Sequence, residues 1–310
     1  QGFSLAWMGW QWDVPERPGL LRLRAPIATD RGRPIEGLVR SVVIVGERRD
    51  EAPLADSGHL AYPLVDPRGR DSRLYVRDHR LAPPRLLPRK SWRFVGTSKV
   101  ALDGGFEPGR IYEVVYRSRD PRVAGCGLAA TRDLVSFFKN EAGPRNPLAG
   151  VTVALGHGIS QSGRFLRHFL HQGFNEDEQG RRVFDGVFVE VAGAGRGSFN
   201  HRFAQASRDG HQHWNVHYPT DLFPFTDRSG NDPETGADVL VPGNAALGVR
   251  ADHERLIAVV VHELPALVLV DRLVHLDVLP AGQADDATGL VAVQCDLAVF
   301  LLERDADALR

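Results

Sequence analysis

Gly158-Ile-Ser-Gln-Ser-Gly163 sets a serine hydroxyl where it could attack a carbonyl carbon. The apolar run Val151-Thr-Val-Ala-Leu155 precedes it, and the amphipathic run Arg164-Phe-Leu-Arg-His-Phe-Leu170 follows. That order predicts strand, tight turn and helix. A serine at such a turn is forced into a strained backbone conformation, and small neighbours keep the crowding low. Its hydroxyl then projects beyond the sheet edge, toward which the N–H groups of the next helix point. The pattern is G-x-S-x-S-G rather than strict G-x-S-x-G, with Ser162 at the second small position and Gly163 behind it. The alternative role for Ser160 is a helix N-cap, its hydroxyl accepting a hydrogen bond from the first turn.

Acyl transfer through serine also needs a histidine base, a carboxylate to orient it and two donors for the oxyanion. Ser160 fits the nucleophile and the Gln161 backbone N–H one oxyanion donor. His157 lies at the end of the same strand, and His201 lies in a loop after a later strand; both are candidates to pack near the site. Trp10 and Trp12 leave an early strand and are candidates to line an apolar pocket, whereas Trp7 reads as core. Asp271 and His275 follow an apolar run, but a triad draws its acid and base from different strands. His211, His213 and His217, with Asp221, have a spacing open to zinc. No helix or hairpin pattern fixes their geometry, so a histidine-rich surface loop is the expectation, with no metal.

The elements that must position these residues fall into three stretches. Phe3 to Trp10 reads as a buried strand. From 14 to 119 the pattern is β-like, with short alternating runs at Leu20–Leu23, Val39–Val45, Arg73–Val76 and Ile111–Tyr116 between Gly, Pro and Asp clusters. Past 120, Leu128, Thr131, Leu134, Val135 and Phe138 share one helical face. The serine strand follows, then a helix expected to stop at Gly173, a polar turn with the charge run Glu176-Asp-Glu178, and a strand over Val183–Val191. Helix, strand, helix, strand is α/β-sheet order. The expected organisation is a core of residues 1–13 and 120–238 carrying a β-rich insert at 14–119. Every Trp and Tyr lies before residue 226, and Phe300 is the lone Phe beyond it. Residues 239–310 are therefore expected to be a divergent core segment or a stretch read outside its native frame.

Composition narrows the classes further. The 310 residues are 43% hydrophobic and 25% charged, with a formal net charge of −1. This is enough material for a core in one or two domains, and it points to no nucleic-acid or anionic-membrane partner. Two cysteines, Cys126 and Cys295, offer neither a disulfide framework nor metal-ligand spacing. No apolar run reaches the length of a membrane span.

Several longer segments carry a resemblance. They are Gly2-Phe-Ser-Leu-Ala-Trp-Met-Gly-Trp-Gln-Trp-Asp-Val14, Phe106-Glu-Pro-Gly-Arg-Ile-Tyr112, Arg132-Asp-Leu-Val-Ser-Phe137 and Gly158-Ile-Ser-Gln-Ser-Gly-Arg-Phe-Leu-Arg167. Gly173-Phe-Asn-Glu-Asp-Glu-Gln-Gly180, Arg196-Gly-Ser-Phe-Asn-His-Arg-Phe203 and Tyr218-Pro-Thr-Asp-Leu-Phe-Pro-Phe-Thr226 extend it. Over about residues 2–238 the chain resembles a family of bacterial α/β-hydrolase domain proteins, presumed serine hydrolases. The resemblance implies an α/β-hydrolase-type sheet, here incomplete, and ester or related acyl hydrolysis through an acyl-enzyme on Ser160. It implies a small-molecule acyl substrate and no cofactor. The family has strands and an oxyanion loop before the Gly2 segment. Beyond the Thr226 region it has Ala-Glu-Tyr-Trp and Gly-Thr-Gln-His-Gly motifs, its acid and base. This chain shows neither motif and opens at Gln1, which is the expectation for a fragment or processed product. The alternative expectation is a hydrolase-like remnant or binding module without a complete triad.

Overall fold

The structure, a computed structural model, describes residues 3–55, 58–69, 71–192, 199, 202–205, 230–231, 238–239 and 297–303. The early strand forms as β1 (Phe3–Met8). The β-like stretch supplies β2 (Thr29–Asp30), β3 (Arg33–Pro34), β4 (Glu36–Val43), β5 (Arg49–Pro53), β6 (Arg73–Arg77), β7 (Arg85–Leu86), β8 (Trp92–Val95), β9 (Lys99–Phe106) and β10 (Ile111–Arg119). Among its described residues the only helix is a 3-10 turn at Arg89–Ser91. Two sheets result, ordered β4-β10-β6-β7 and β5-β9-β8, beside the β2-β3 hairpin. Val39, Leu74, Val114 and Tyr116 of the first sheet and Val100 and Phe106 of the second share one buried cluster. The expected strand at Leu20–Leu23 does not form. Gly19 and Pro26 bound that run, and the Leu23 N–H bonds instead to the Gln11 carbonyl at 2.9 Å.

The second half contributes α1 (Cys126–Asn140), β11 (Val151–Ile159), α2 (Gln161–His171) and β12 (Gly186–Glu190), then the short pair β13 (Gly230–Asn231) and β14 (Asp238–Val239), and finally β15 (Leu297–Glu303). The central sheet has the order β1-β15-β11-β12. An α/β-type sheet was the expectation, and β11 and β12 do run parallel, Leu155 opposite Gly186 through Ile159 opposite Glu190. Elsewhere, among the described residues, the ladders are antiparallel. In the central sheet the cause is β15, which runs against β1 on one side and β11 on the other. β1 and β11 therefore point the same way, and their C-terminal ends meet at one edge of the sheet.

Period-two alternation decides what each strand buries. Met8, Ala154, Val187, Leu297, Val299 and Leu301 face the helices and pack with Leu128 and Val135 of α1 and Phe165, Leu166 and Phe169 of α2. Leu5 and Trp7 fall on the opposite face. Trp7, read as core from sequence, is 49% exposed because its neighbours Ala6 and Met8 occupy the covered side. The polar turn after α2 also differs from expectation. Asp177 turns inward and accepts hydrogen bonds from Ser136 Oγ at 2.5 Å, Arg181 Nε at 2.8 Å and the N–H groups of Arg181 and Gln179 at 2.9 and 3.0 Å. The Ser136 hydroxyl first, then the Arg181 and Gln179 donors, hold this carboxyl well below the usual carboxylate range.

Leu297 is fully buried on β15, between the two strands that flank it. Leu297→Ala is expected to destabilise the protein by about 2–5 kcal/mol. Urea unfolding of the two proteins checks this, and an unchanged midpoint would show that β15 is not part of the cooperative core.

Candidate active site

The site grows from the C-terminal end of β11. Ser160 follows that strand with φ 52° and ψ −107°. A positive φ is uncommon for any residue with a side chain, and this ψ lies outside the left-handed helical well. Such a conformation costs on the order of 1–3 kcal/mol and persists only where its surroundings fix it. Two contacts fix it here. The Ser160 N–H donates to the Glu190 carbonyl at 2.8 Å, and the Ser160 carbonyl accepts from the Arg164 N–H at 3.0 Å, closing the first turn of α2. The Ser160 hydroxyl makes no capping hydrogen bond to that turn. The N-cap role considered for Ser160 is thus not the one it takes, and its side chain is exposed at the sheet edge.

The backbone can turn this tightly because two glycines cross. A Cβ added to Gly158 would lie 2.6 Å from the carbonyl carbon and oxygen of Ser162. One added to Gly163 would lie 2.8 Å from the Gly158 carbonyl oxygen and 2.9 Å from Ala192 Cβ. Gln161, the first residue of α2, directly follows the serine, where the oxyanion donor is expected. Its side-chain carbonyl accepts from Arg164 Nη2 at 2.6 Å.

The other sequence candidates are distributed around this turn. His157 is buried, stacks on Phe188 with ring centres 5.2 Å apart, and has Nε2 3.4 Å from Glu190 Oε2. Burial lowers its pKa, with the Glu190 carboxylate opposing that shift. Trp10 is 5% exposed and lies beneath the turn, its indole N–H donating to Ser162 Oγ at 3.1 Å and its ring stacked on Phe165 at 4.3 Å. Trp12 is 7% exposed and packs in the all-β segment against Tyr62, its indole N–H on the Ala204 carbonyl at 2.8 Å. The structure thus brings Ser160, Gln161, His157 and Trp10 to one end of the sheet and sets Trp12 in the neighbouring core. His201 lies outside the described residues, as do His211, His213, His217, Asp221, Asp271 and His275. Among the described residues no cluster of histidine, cysteine or carboxylate side chains is arranged to hold a metal. A crevice of about 280 Å³ between α1 and the 177–181 turn, and one of about 370 Å³ in the all-β segment, are lined by neither Ser160 nor Gln161.

Residues 89–238 match a family described as an alpha/beta hydrolase domain. The match covers just under half of the chain, spans the whole of β11, α2 and β12, and begins inside the all-β segment. No curated protein and no solved structure matches the chain. Sequence reading missed two groups beside the turn. Glu190 closes the apolar strand Gly186–Glu190 at the same edge as Ser160, and that position was its only signal. The Trp10–Ser162 bond joins residues far apart in the chain and left no local trace.

Two measurements test this geometry. Gly158→Ala is expected to cost about 1–3 kcal/mol in stability, because backbone rather than a flexible side chain meets the new methyl; a denaturation midpoint equal to wild type would contradict the crossing. The second concerns pH. Lowered in the folded state, the His157 pKa contributes stability that is full above the unfolded value of 6.5 and is lost as pH falls through the folded pKa. Stability measured by urea unfolding from pH 7.5 to 5 should therefore fall more steeply for wild type than for His157→Phe.

Proposed function

We propose that this protein is a serine hydrolase acting on carboxylic esters or related acyl bonds through an acyl-enzyme on Ser160. The observation that carries the reading is the backbone of Ser160, φ 52° and ψ −107°, held at a strand-to-helix turn with its hydroxyl not used as a cap. A strained serine that does not stabilise its own helix is the arrangement a nucleophile needs and a structural serine does not.

In this scheme Ser160 Oγ attacks the acyl carbonyl carbon while a histidine takes the hydroxyl proton. The carbonyl oxygen becomes an oxyanion and accepts a hydrogen bond from the Gln161 N–H. Removing one such donor typically costs about 2.7–4 kcal/mol of transition-state stabilisation. The tetrahedral intermediate collapses, the C–O bond to the alcohol breaks, and the histidine returns its proton to the leaving oxygen. Water then attacks the acyl-enzyme with the same histidine as base, releasing the acid and restoring Ser160. Neither step calls for a cofactor.

A second reading has its own support. Among the described residues no hydrogen bond joins a histidine to Ser160, and the Nε2 of His157 faces Glu190 instead. A hydrolase-like binding module that keeps the turn without a base fits that observation.

Reaction of the purified protein with a fluorophosphonate probe separates the two. Labelling that disappears in Ser160→Ala is the expected result. A folded wild-type protein that takes no label would favour the binding module.

A further inference from the structure

The hydrolase motif departs from its strict form at Ser162, and the structure gives that departure a partner. Ser162 is fully buried and its hydroxyl accepts the Trp10 indole N–H at 3.1 Å. A buried polar pair of this kind is costly to half-remove, since the remaining partner keeps its desolvation penalty. Trp10 is itself held on several sides. Its ring stacks on Phe165, one turn further along α2, and meets Phe199 edge-on at 5.3 Å. Its backbone lies against the start of α1, where a Cβ added to Gly127 would come within 2.4 Å of the Trp10 carbonyl oxygen. Trp10 follows β1, whose C-terminal end shares the sheet edge with that of β11. One residue therefore links the exit of β1, the start of α1 and the first turn of α2.

We infer that Trp10 is a positioning residue: by binding Ser162 Oγ it fixes the first turn of α2 and with it the direction of the Gln161 N–H. The inference rests on the reading of Ser160 as the nucleophile. A glycine at position 162 would leave the turn just as tight but without this bond. The hydroxyl thus supplies a second anchor for a turn that otherwise depends on the glycine crossing behind it.

The test uses Trp10→Phe, which keeps a ring against Phe165 and loses the N–H, together with Ser162→Ala and the double variant. One readout is amide hydrogen exchange of residues 161–164 in the full chain. Faster exchange there in Trp10→Phe, with exchange in the later turns of α2 unchanged, is expected. The other is the rate constant for fluorophosphonate labelling. Each single variant should slow it by about 10–100-fold, as expected of a reacting group displaced by a fraction of an ångström, and the double variant should be no slower than the worse single. Unchanged exchange at 161–164, or additive effects on labelling, would overturn the positioning role. If wild type takes no label, the hydrolase reading fails and exchange alone decides whether Trp10 braces the turn.

Discussion

Two glycine backbone positions pass within van der Waals contact where β11 turns into α2, and the conformation of Ser160 depends on that crossing. Gly158 and Gly163 allow it; any Cβ at either place would sit closer than 3 Å to its neighbour. The approach leaves the intervening residues no relaxed path, so Ser160 is driven to a positive φ and its hydroxyl outward. The strain is borne by the surrounding strand and helix. The Glu190 carbonyl holds the serine N–H from β12, the first turn of α2 holds its carbonyl, and Trp10 holds Ser162 from beyond β1. Support for the turn is thus supplied by elements distant in sequence.

The central sheet is arranged to bring those elements to one edge. β1 and β11 are parallel but not adjacent; β15 lies between them and satisfies the inner edge of each. Both helices cover the same face, where the strands present Val and Leu, while Leu5 and Trp7 remain on the other. The all-β segment connects to this assembly after β12. Ala204 accepts hydrogen bonds from Trp12 and Tyr62, and the Gln205 amide reaches the Leu60 carbonyl at 3.0 Å.

Local features of this arrangement were legible in the chain. The strand, turn and helix around Ser160 could be read because the 2.0 and 3.6 periodicities change at the motif itself. The helix face of Leu128, Thr131 and Val135 is buried as its spacing predicts. Three of the four expected β-like runs became strands, and Leu20–Leu23 did not because its N–H groups found a loop partner. Long-range pairing was not legible. Nothing in Leu297–Glu303 specifies that it runs antiparallel between two strands from the other end of the chain. The direction of Trp7 was likewise decided by which face the helices cover. Asp177 reads as a solvated charge until the packing of α1 brings Ser136 to it and the turn folds Arg181 back onto it.

The insertion of β15 has a consequence in time. Phe3 pairs with Leu302, and Ala154 with Leu301, so the ladder that supports the turn spans almost the full length of the chain. During synthesis, β1 and β11 leave the ribosome long before the strand that joins them. Contacts of such sequence separation form slowly, and until they form two apolar strand edges stand open. The nascent sheet must therefore wait for β15 with its serine turn only half supported, and that interval is where misassembly would begin.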